Sequence, residues 1–208
     1  MKQVYVYVFN TLADWEPAYI TALINSKEFY KQGAEEVNMK TVAKSKDSVV
    51  TKGGMTVVPD CTIEEMVLNE STALLLPGGY TWENREEHEA ILLKAKQLFE
   101  MNGTLAAICG ATGALANEGL LNNRVHTSNA VEYLKMVAPT YTGEQLYKQD
   151  RAVADGNLVT ASGAGALLWA KLIAEQLNIF SPKPLELWYL YHHTGDPKYI
   201  FELLQING

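Results

Sequence analysis

The chain has 208 residues, which suits one domain with a small extension, and 48% of them are hydrophobic, enough for a substantial core. The net charge is −7 and the 17 Lys and Arg form no dense run, so a nucleic-acid surface is not expected. No apolar stretch approaches the ~18 residues of a membrane span, and two cysteines make no disulfide framework, so the expectation is a reduced, cytoplasmic protein.

The opening "MKQVYVYVFN" lacks the long Leu- or Ala-rich segment of a signal peptide. Its alternation of Val4, Val6, Val8 with Tyr5, Tyr7, Phe9 predicts a buried strand over 2–9. A helix follows over 14–25, with Asp14 as a candidate cap ahead of Trp15-Glu16-Pro17. A second strand is expected over 37–43, then a short hairpin or extended excursion over 49–60 with Gly53-Gly54 at its turn. Residues 63–68 read as a short helix and 73–76 as a buried strand stopped by Pro77-Gly78-Gly79. Over 86–101 an amphipathic helix puts Ile91, Leu92, Ala95, Leu98 and Phe99 on one face, and Gly103 ends it. Leu105 to Ile108 is the next strand, and helical spacing begins at Leu115. Beyond it the pattern gives a strand over 124–127, a helix over 131–137, a hairpin over 153–160 around Asp155-Gly156-Asn157, and a helix over 165–177. Residues 181–208 form two short helices rich in aromatics. Strands alternating with helices argue for a mainly parallel sheet covered on both faces, an α/β three-layer sandwich over 1–180 with a C-terminal helical extension over 181–208. Such sheets place their sites at the carboxyl ends of the strands.

Ala107-Ile108-Cys109-Gly110-Ala111 joins strand to helix with a cysteine between small residues. That is the layout of a nucleophile elbow, where the turn is too sharp for bulky flanks. Backbone N–H groups at the helix start would stabilise a thiolate there and lower its pKa. The other reading is a buried core cysteine, which the small flanking residues make the weaker one. Gly78 and Gly79 allow backbone N–H groups to approach an oxyanion, or make an ordinary turn. Glu16 lies after the first strand, on the same sheet edge, where it either meets the thiol or serves as a helix N-terminal acid.

Of the four histidines, His88 is expected on a solvated helix start and His192 and His193 on the surface of the tail. His126, 17 residues after Cys109, is the one imidazole that the core offers as a base, or it is structural. Cys61 has no motif around it and reads as packing. No Cys/His spacing suggests zinc, and neither a P-loop nor a dinucleotide fingerprint is present, so no metal and no cofactor are expected.

Together "VYVFNTLADWE", "LLLPGGYTWE", "AAICGATGALANEGLLNNRVHTSN" and "LVTASGAGALLWAKLIAEQL" resemble the ThiJ/PfpI family of the class I glutamine amidotransferase-like superfamily, close to bacterial members labelled as proteases. The resemblance runs from residue 2 to about 178 and implies a flavodoxin-like sandwich. It implies that Cys109 is the reactive elbow cysteine, that Glu16 hydrogen-bonds it, and that Gly79 and Gly110 turn backbone N–H groups toward the reacting atom. Glu83 matches an acid that some protease-like members lend across a subunit contact. Two departures stand out. Protease-like members have histidine directly after the nucleophile, where this chain has Gly110. Redox and glyoxalase members carry histidine 20 residues after it, where this chain has Asn129. The missing imidazole argues against a peptidase, since an amide leaving group needs a general acid.

The expected function is therefore a cysteine-dependent hydrolase or glyoxalase/deglycase-like enzyme on a small-molecule carbonyl substrate. The alternative is a non-catalytic redox sensor that uses oxidation of Cys109. In the tail, Leu185, Leu187, Trp188, Leu190, Tyr199, Ile200, Phe201 and Leu203 need burial on the domain's own helices or on a second copy. A homodimer is expected, and a tail reaching the sheet edge would bring His192 or His193 to Cys109.

Overall fold

The computed structural model describes residues 1–207. In chain order its elements are β1 (Lys2–Tyr7), α1 (Trp15–Ser26), β2 (Val37–Ala43), β3 (Val49–Val50), β4 (Thr56–Val57), β5 (Cys61–Thr62), β6 (Thr72–Leu76) and α2 (Arg85–Glu100). These are followed by β7 (Thr104–Ile108), α3 (Gly110–Asn117), α4 (Val131–Val137), β8 (Ala152–Asp155), β9 (Leu158–Ala161), α5 (Ala166–Leu177), α6 (Pro182–Thr194) and α7 (Pro197–Asn207). Seven strands form one sheet in the order β5-β2-β1-β6-β7-β9-β8, parallel except for the edge strand β8. β3 and β4 pair antiparallel with each other, outside this sheet.

Strand alternation divides the core. Val4, Val6, Ala73, Leu75, Ala106 and Ile108 meet the helices α1 and α5 on one face. Tyr5, Tyr7, Leu74, Leu76, Leu105 and Ala107 meet α2 and α3 on the other. Both faces are covered, which is why these strands are apolar throughout rather than alternating with polar residues. The chain leaves β1 toward β2 on one side and returns to β6 on the other. This reversal opens a crevice at the carboxyl edge, where ligands settle in open α/β sheets.

Four local expectations need correction. Residues 63–68 are not helical. Ile63 N–H instead bonds Ala43 O at 2.9 Å, alongside the edge of β2, and Val67 N–H donates to the Tyr5 hydroxyl at 3.1 Å. Six residues barely exceed the costly helix nucleus, so these tertiary bonds prevail. Residues 124–127 form no strand, only a single bridge from His126 to Tyr147. Val125 N–H goes to Asp155 Oδ2 and Thr127 N–H to Thr160 Oγ1, and His126 N–H goes to Leu146 O. Asp14 does not cap α1; its Oδ2 accepts the Gly53 N–H at 2.6 Å. After α2 it is Asn102, with φ 60°, that takes the left-handed turn, while Gly103 leaves room for Leu98.

In the C-terminal helices Leu185, Leu187 and Leu203 are buried in the same core as α1 and α5. Trp188, Tyr199 and Ile200 pack partly against it. Phe201, expected to be buried, is 63% exposed on α7, beside exposed Leu204. No helix among the described residues is long and apolar enough to cross a membrane.

Candidate active site

Cys109 sits between β7 and α3 with φ 57° and ψ −125°, a conformation that glycine alone adopts freely. Such strain costs on the order of 1–3 kcal/mol and persists only where the surroundings enforce it. Here Cys109 N–H bonds Ala161 O at 3.0 Å, and the Thr112 hydroxyl donates to Cys109 O at 2.6 Å. The chain is small where the elbow needs it. A Cβ on Gly78 would lie 2.7 Å from Cys109 Cβ, and one on Gly163 would lie 3.2 Å from the sulfur.

Three further strand ends meet the thiol, which itself follows β7. After β1 comes Glu16, completely buried at the start of α1, with one carboxyl oxygen accepting the Gly78 N–H that follows β6. Its other oxygen, Oε1, has no hydrogen-bond partner among the described residues, and both it and Cys109 Cβ border the space beside Gly78. Asn129 Nδ2 donates to Cys109 Sγ at 3.4 Å, and its Oδ1 accepts the N–H of Gly163, after β9, at 2.9 Å. Gly110, next in the chain after Cys109, opens α3. Gly79 lies against the Phe9 ring.

The electrostatics join Glu16 and Cys109 as one unit. Burial raises the Glu16 carboxyl to about 7, against the opposing pull of Gly78 N–H, Cys109 and the Lys52 ammonium. Burial also pushes the Cys109 thiol up; the Glu16 charge adds to that, and Asn129 and Gly110 oppose it. This corrects the expected downward shift, because the helix N-terminus does not outweigh burial beside a carboxylate. Two negative charges so close disfavour each other, so around neutrality the thiol keeps its proton while the carboxyl titrates.

The imidazoles lie elsewhere. His126 is fully buried; Nδ1–H donates to Arg124 O and Nε2 accepts from the Tyr141 hydroxyl, both at 2.7 Å. Both nitrogens are thus occupied in a structural role. His88 is completely buried rather than solvated. It bridges the Tyr7 and Thr81 hydroxyls at 3.0 Å each and stacks on Trp82 with centroids 4.3 Å apart. Trp82 in turn backs Gly110, where an added Cβ would stand 3.1 Å from its ring. His192 packs edge-on to Tyr19 and Trp188, and His193 stacks on Tyr189; neither has a hydrogen bond to Cys109. Glu83 is exposed and lines a cleft of about 360 Å³ with Gly110, Trp82 and Tyr133, next to the elbow rather than at the sulfur. Sequence reasoning missed Gly163, Tyr133 and Lys52. Gly163 ends a strand as Gly78 does and was legible on that ground; the other two carry no local signal. Among the described residues, no three His, Cys, Asp or Glu side chains cluster as metal ligands.

Cys61 offers a contrast. It is 5% exposed, its thiol donates to Thr41 O at 3.7 Å, and burial pushes its pKa up. Iodoacetamide at neutral pH is expected to label Cys109 in the folded protein, and Cys61 only after unfolding. Equal rates in peptide mass spectra would remove any special character from Cys109.

The DJ-1/PfpI family model matches residues 2–176. A Bacillus subtilis protein named "uncharacterized protease YoaZ" is 43% identical over 98% of this chain and 96% of its own. The crystal structure of a thiJ/pfpI family protein from Bacillus anthracis superposes with a TM-score of 0.94 at 42% identity, covering 98% of this chain and 96% of that one. "Deglycase PfpI" of Pyrococcus furiosus is 29% identical over 66% of this chain and 81% of its own. From its central parallel sheet to the cysteine turn at the sheet's carboxyl edge, the chain belongs to the DJ-1/PfpI family.

Proposed function

We propose that the protein is a cysteine-dependent enzyme of glyoxalase or deglycase type acting on small reactive carbonyls, with Cys109 as nucleophile and Glu16 as proton carrier. The observation that supports it best is the buried Glu16 carboxyl, with a pKa of about 7, coupled to a thiol that has no imidazole partner. A base is most effective when its pKa lies near the working pH. The Cys109 thiol passes its proton to the Glu16 carboxylate as the sulfur adds to the aldehyde carbon of a 2-oxoaldehyde, and Glu16 gives that proton to the new alkoxide. N–H groups of Gly110 and Gly79 hold that oxygen as its charge develops. Glu16, now a carboxylate, removes the C1 hydrogen as a proton, and the C–H electron pair moves toward the adjacent ketone. Reprotonation at C2 gives a thioester of a 2-hydroxy acid, and water releases the acid and restores the thiol. The net change is addition of one water with no external oxidant. The archaeal relative named a deglycase supports carbonyl chemistry. The protease name of the Bacillus relative finds less support here, because His126 and His88 are both tied to other partners. The reading includes a reduced, cytoplasmic setting with both cysteines free, and a homodimer that covers Phe201 and Leu204.

The test is methylglyoxal with purified protein, lactate being followed by NMR. Wild type is expected to form lactate and Cys109→Ser none. Absence of lactate from wild type would overturn the enzyme reading. If dilute peroxide then oxidised Cys109 while sparing Cys61, the redox-sensor alternative would take its place.

A further inference from the structure

The hairpin β3–β4 lies outside the main sheet, with Val49 in the same core as Tyr5 and Tyr7, and it is fastened to the site. Thr11 N–H bonds Val50 O and Lys52 N–H bonds Leu12 O, both at 2.8 Å. Val50 N–H reaches Asn10 Oδ1 at 2.9 Å, and Gly53 N–H reaches Asp14 Oδ2 at 2.6 Å. All four partners lie in the β1–α1 loop that delivers Glu16. Gly53 is needed for this docking, since a Cβ there would stand 2.9 Å from Asp14 Oδ2.

The docked hairpin fixes the position of Lys52. Its ammonium stands 5.1 Å from the Trp15 ring centroid and 4.3 Å from that of Tyr80. Trp15 immediately precedes Glu16, and Tyr80 immediately follows Gly79. Both rings are exposed, at 49% and 68%. A lysine on a surface hairpin ordinarily samples many rotamers. Two aromatic faces restrain this one over the residues that flank the site. The ammonium also senses the charges of Cys109 and Glu16, so its field reaches the reacting groups. A compact, strongly hydrated cation held beside residues that flank such a site suits a carboxylate.

We propose that Lys52 is a specificity-determining residue that binds the carboxylate of the substrate, so that Cys109 acts on small aldehydes bearing an acid group in preference to neutral ones. This deepens the function proposed above and rests on Cys109 as the nucleophile, but its test does not depend on turnover. Iodoacetate and iodoacetamide are near-isosteric and differ in charge. With each, the Cys109 thiolate forms an S–C bond and iodide leaves. The ratio of their rates at Cys109, read by peptide mass spectrometry, cancels any change in thiol ionisation and isolates recognition of the anion. Lys52→Met is expected to lower the iodoacetate-to-iodoacetamide ratio about fivefold to tenfold at low salt, and Lys52→Arg to retain most of it. Added sodium chloride should lower the wild-type ratio and leave that of Lys52→Met unchanged. A ratio within twofold of wild type in Lys52→Met, or an equal fall in Met and Arg variants, overturns the proposal. Failure of methylglyoxal turnover with an intact alkylation preference would count against the reaction proposed and not against Lys52.

Discussion

Glu16→Gln is expected to lower 2-oxoaldehyde turnover roughly 10²–10⁴-fold, the usual contribution of a positioned acid–base group. The same substitution is expected to speed alkylation of Cys109 at neutral pH. The amide keeps an oxygen for the Gly78 N–H, so the local structure survives. It removes the negative charge that helps hold the thiol up, while the Asn129 and Gly110 donors remain. A nucleophile that becomes more reactive as catalysis collapses is the signature of a lost proton carrier. A fall in both rates would instead mark Glu16 as scaffolding, and unchanged turnover would remove it from the mechanism.

The second large effect is on stability. The folded-state pKa of Glu16 is raised from 4.5 to about 7, chiefly by burial. The folded protein therefore binds this proton more tightly than the unfolded chain does. Its contribution to stability is fully present below the unfolded pKa and is lost as pH rises through about 7. At 1.36 kcal/mol per pKa unit, the swing is about 3 kcal/mol. Glu16→Gln has no such proton. Between about pH 4 and pH 8, its stability relative to wild type should rise by about 3 kcal/mol, measured by urea unfolding at each pH. A constant difference across that range would mean that the carboxyl ionises as freely in the folded protein as outside it.

Much of the fold was legible because it rests on local patterns. Val4 to Tyr7 and Leu105 to Ile108 are apolar runs too short for helices, and each precedes turn chemistry. The same applies to Thr72 to Leu76 with Pro77-Gly78-Gly79 behind it. The small residues around Cys109 announce a tight turn whatever the rest of the chain does. Failures came where tertiary partners override local preference. Residues 63–68 carry a helical spacing, but hydrogen bonds to β2 and Tyr5 hold them otherwise. His88 sits among Glu86, Glu87 and Glu89, so its neighbours suggest solvent, whereas the helix rotates it inward onto Tyr7 and Trp82. Phe201 followed the rule that aromatics are buried and lies on the outer side of α7. The direction of the Cys109 shift was not legible either. It depends on how deeply Glu16 is buried beside it, and 93 residues separate the two in the chain. Lys52 was invisible for a related reason. Nothing in "VTKGGM" says that this hairpin folds back over residues 10–14.

The groups around the Cys109 sulfur come from the ends of strands β1, β6 and β9 and from the loop that carries Asn129, and the last of them, Gly163 after β9, lies more than 50 residues beyond the cysteine. On the ribosome, therefore, Cys109 emerges well before its backbone anchor at Ala161 and its neighbour Gly163 have been synthesised. Until then it is a flexible, ordinary thiol with neither a strained backbone nor a fixed donor. Its distinctive surroundings arise only when β9 docks beside β7 and closes the sheet. Maturation of the thiol is thus a late folding event, and labelling of Cys109 in stalled nascent chains of increasing length would report the moment at which that last parallel strand is added.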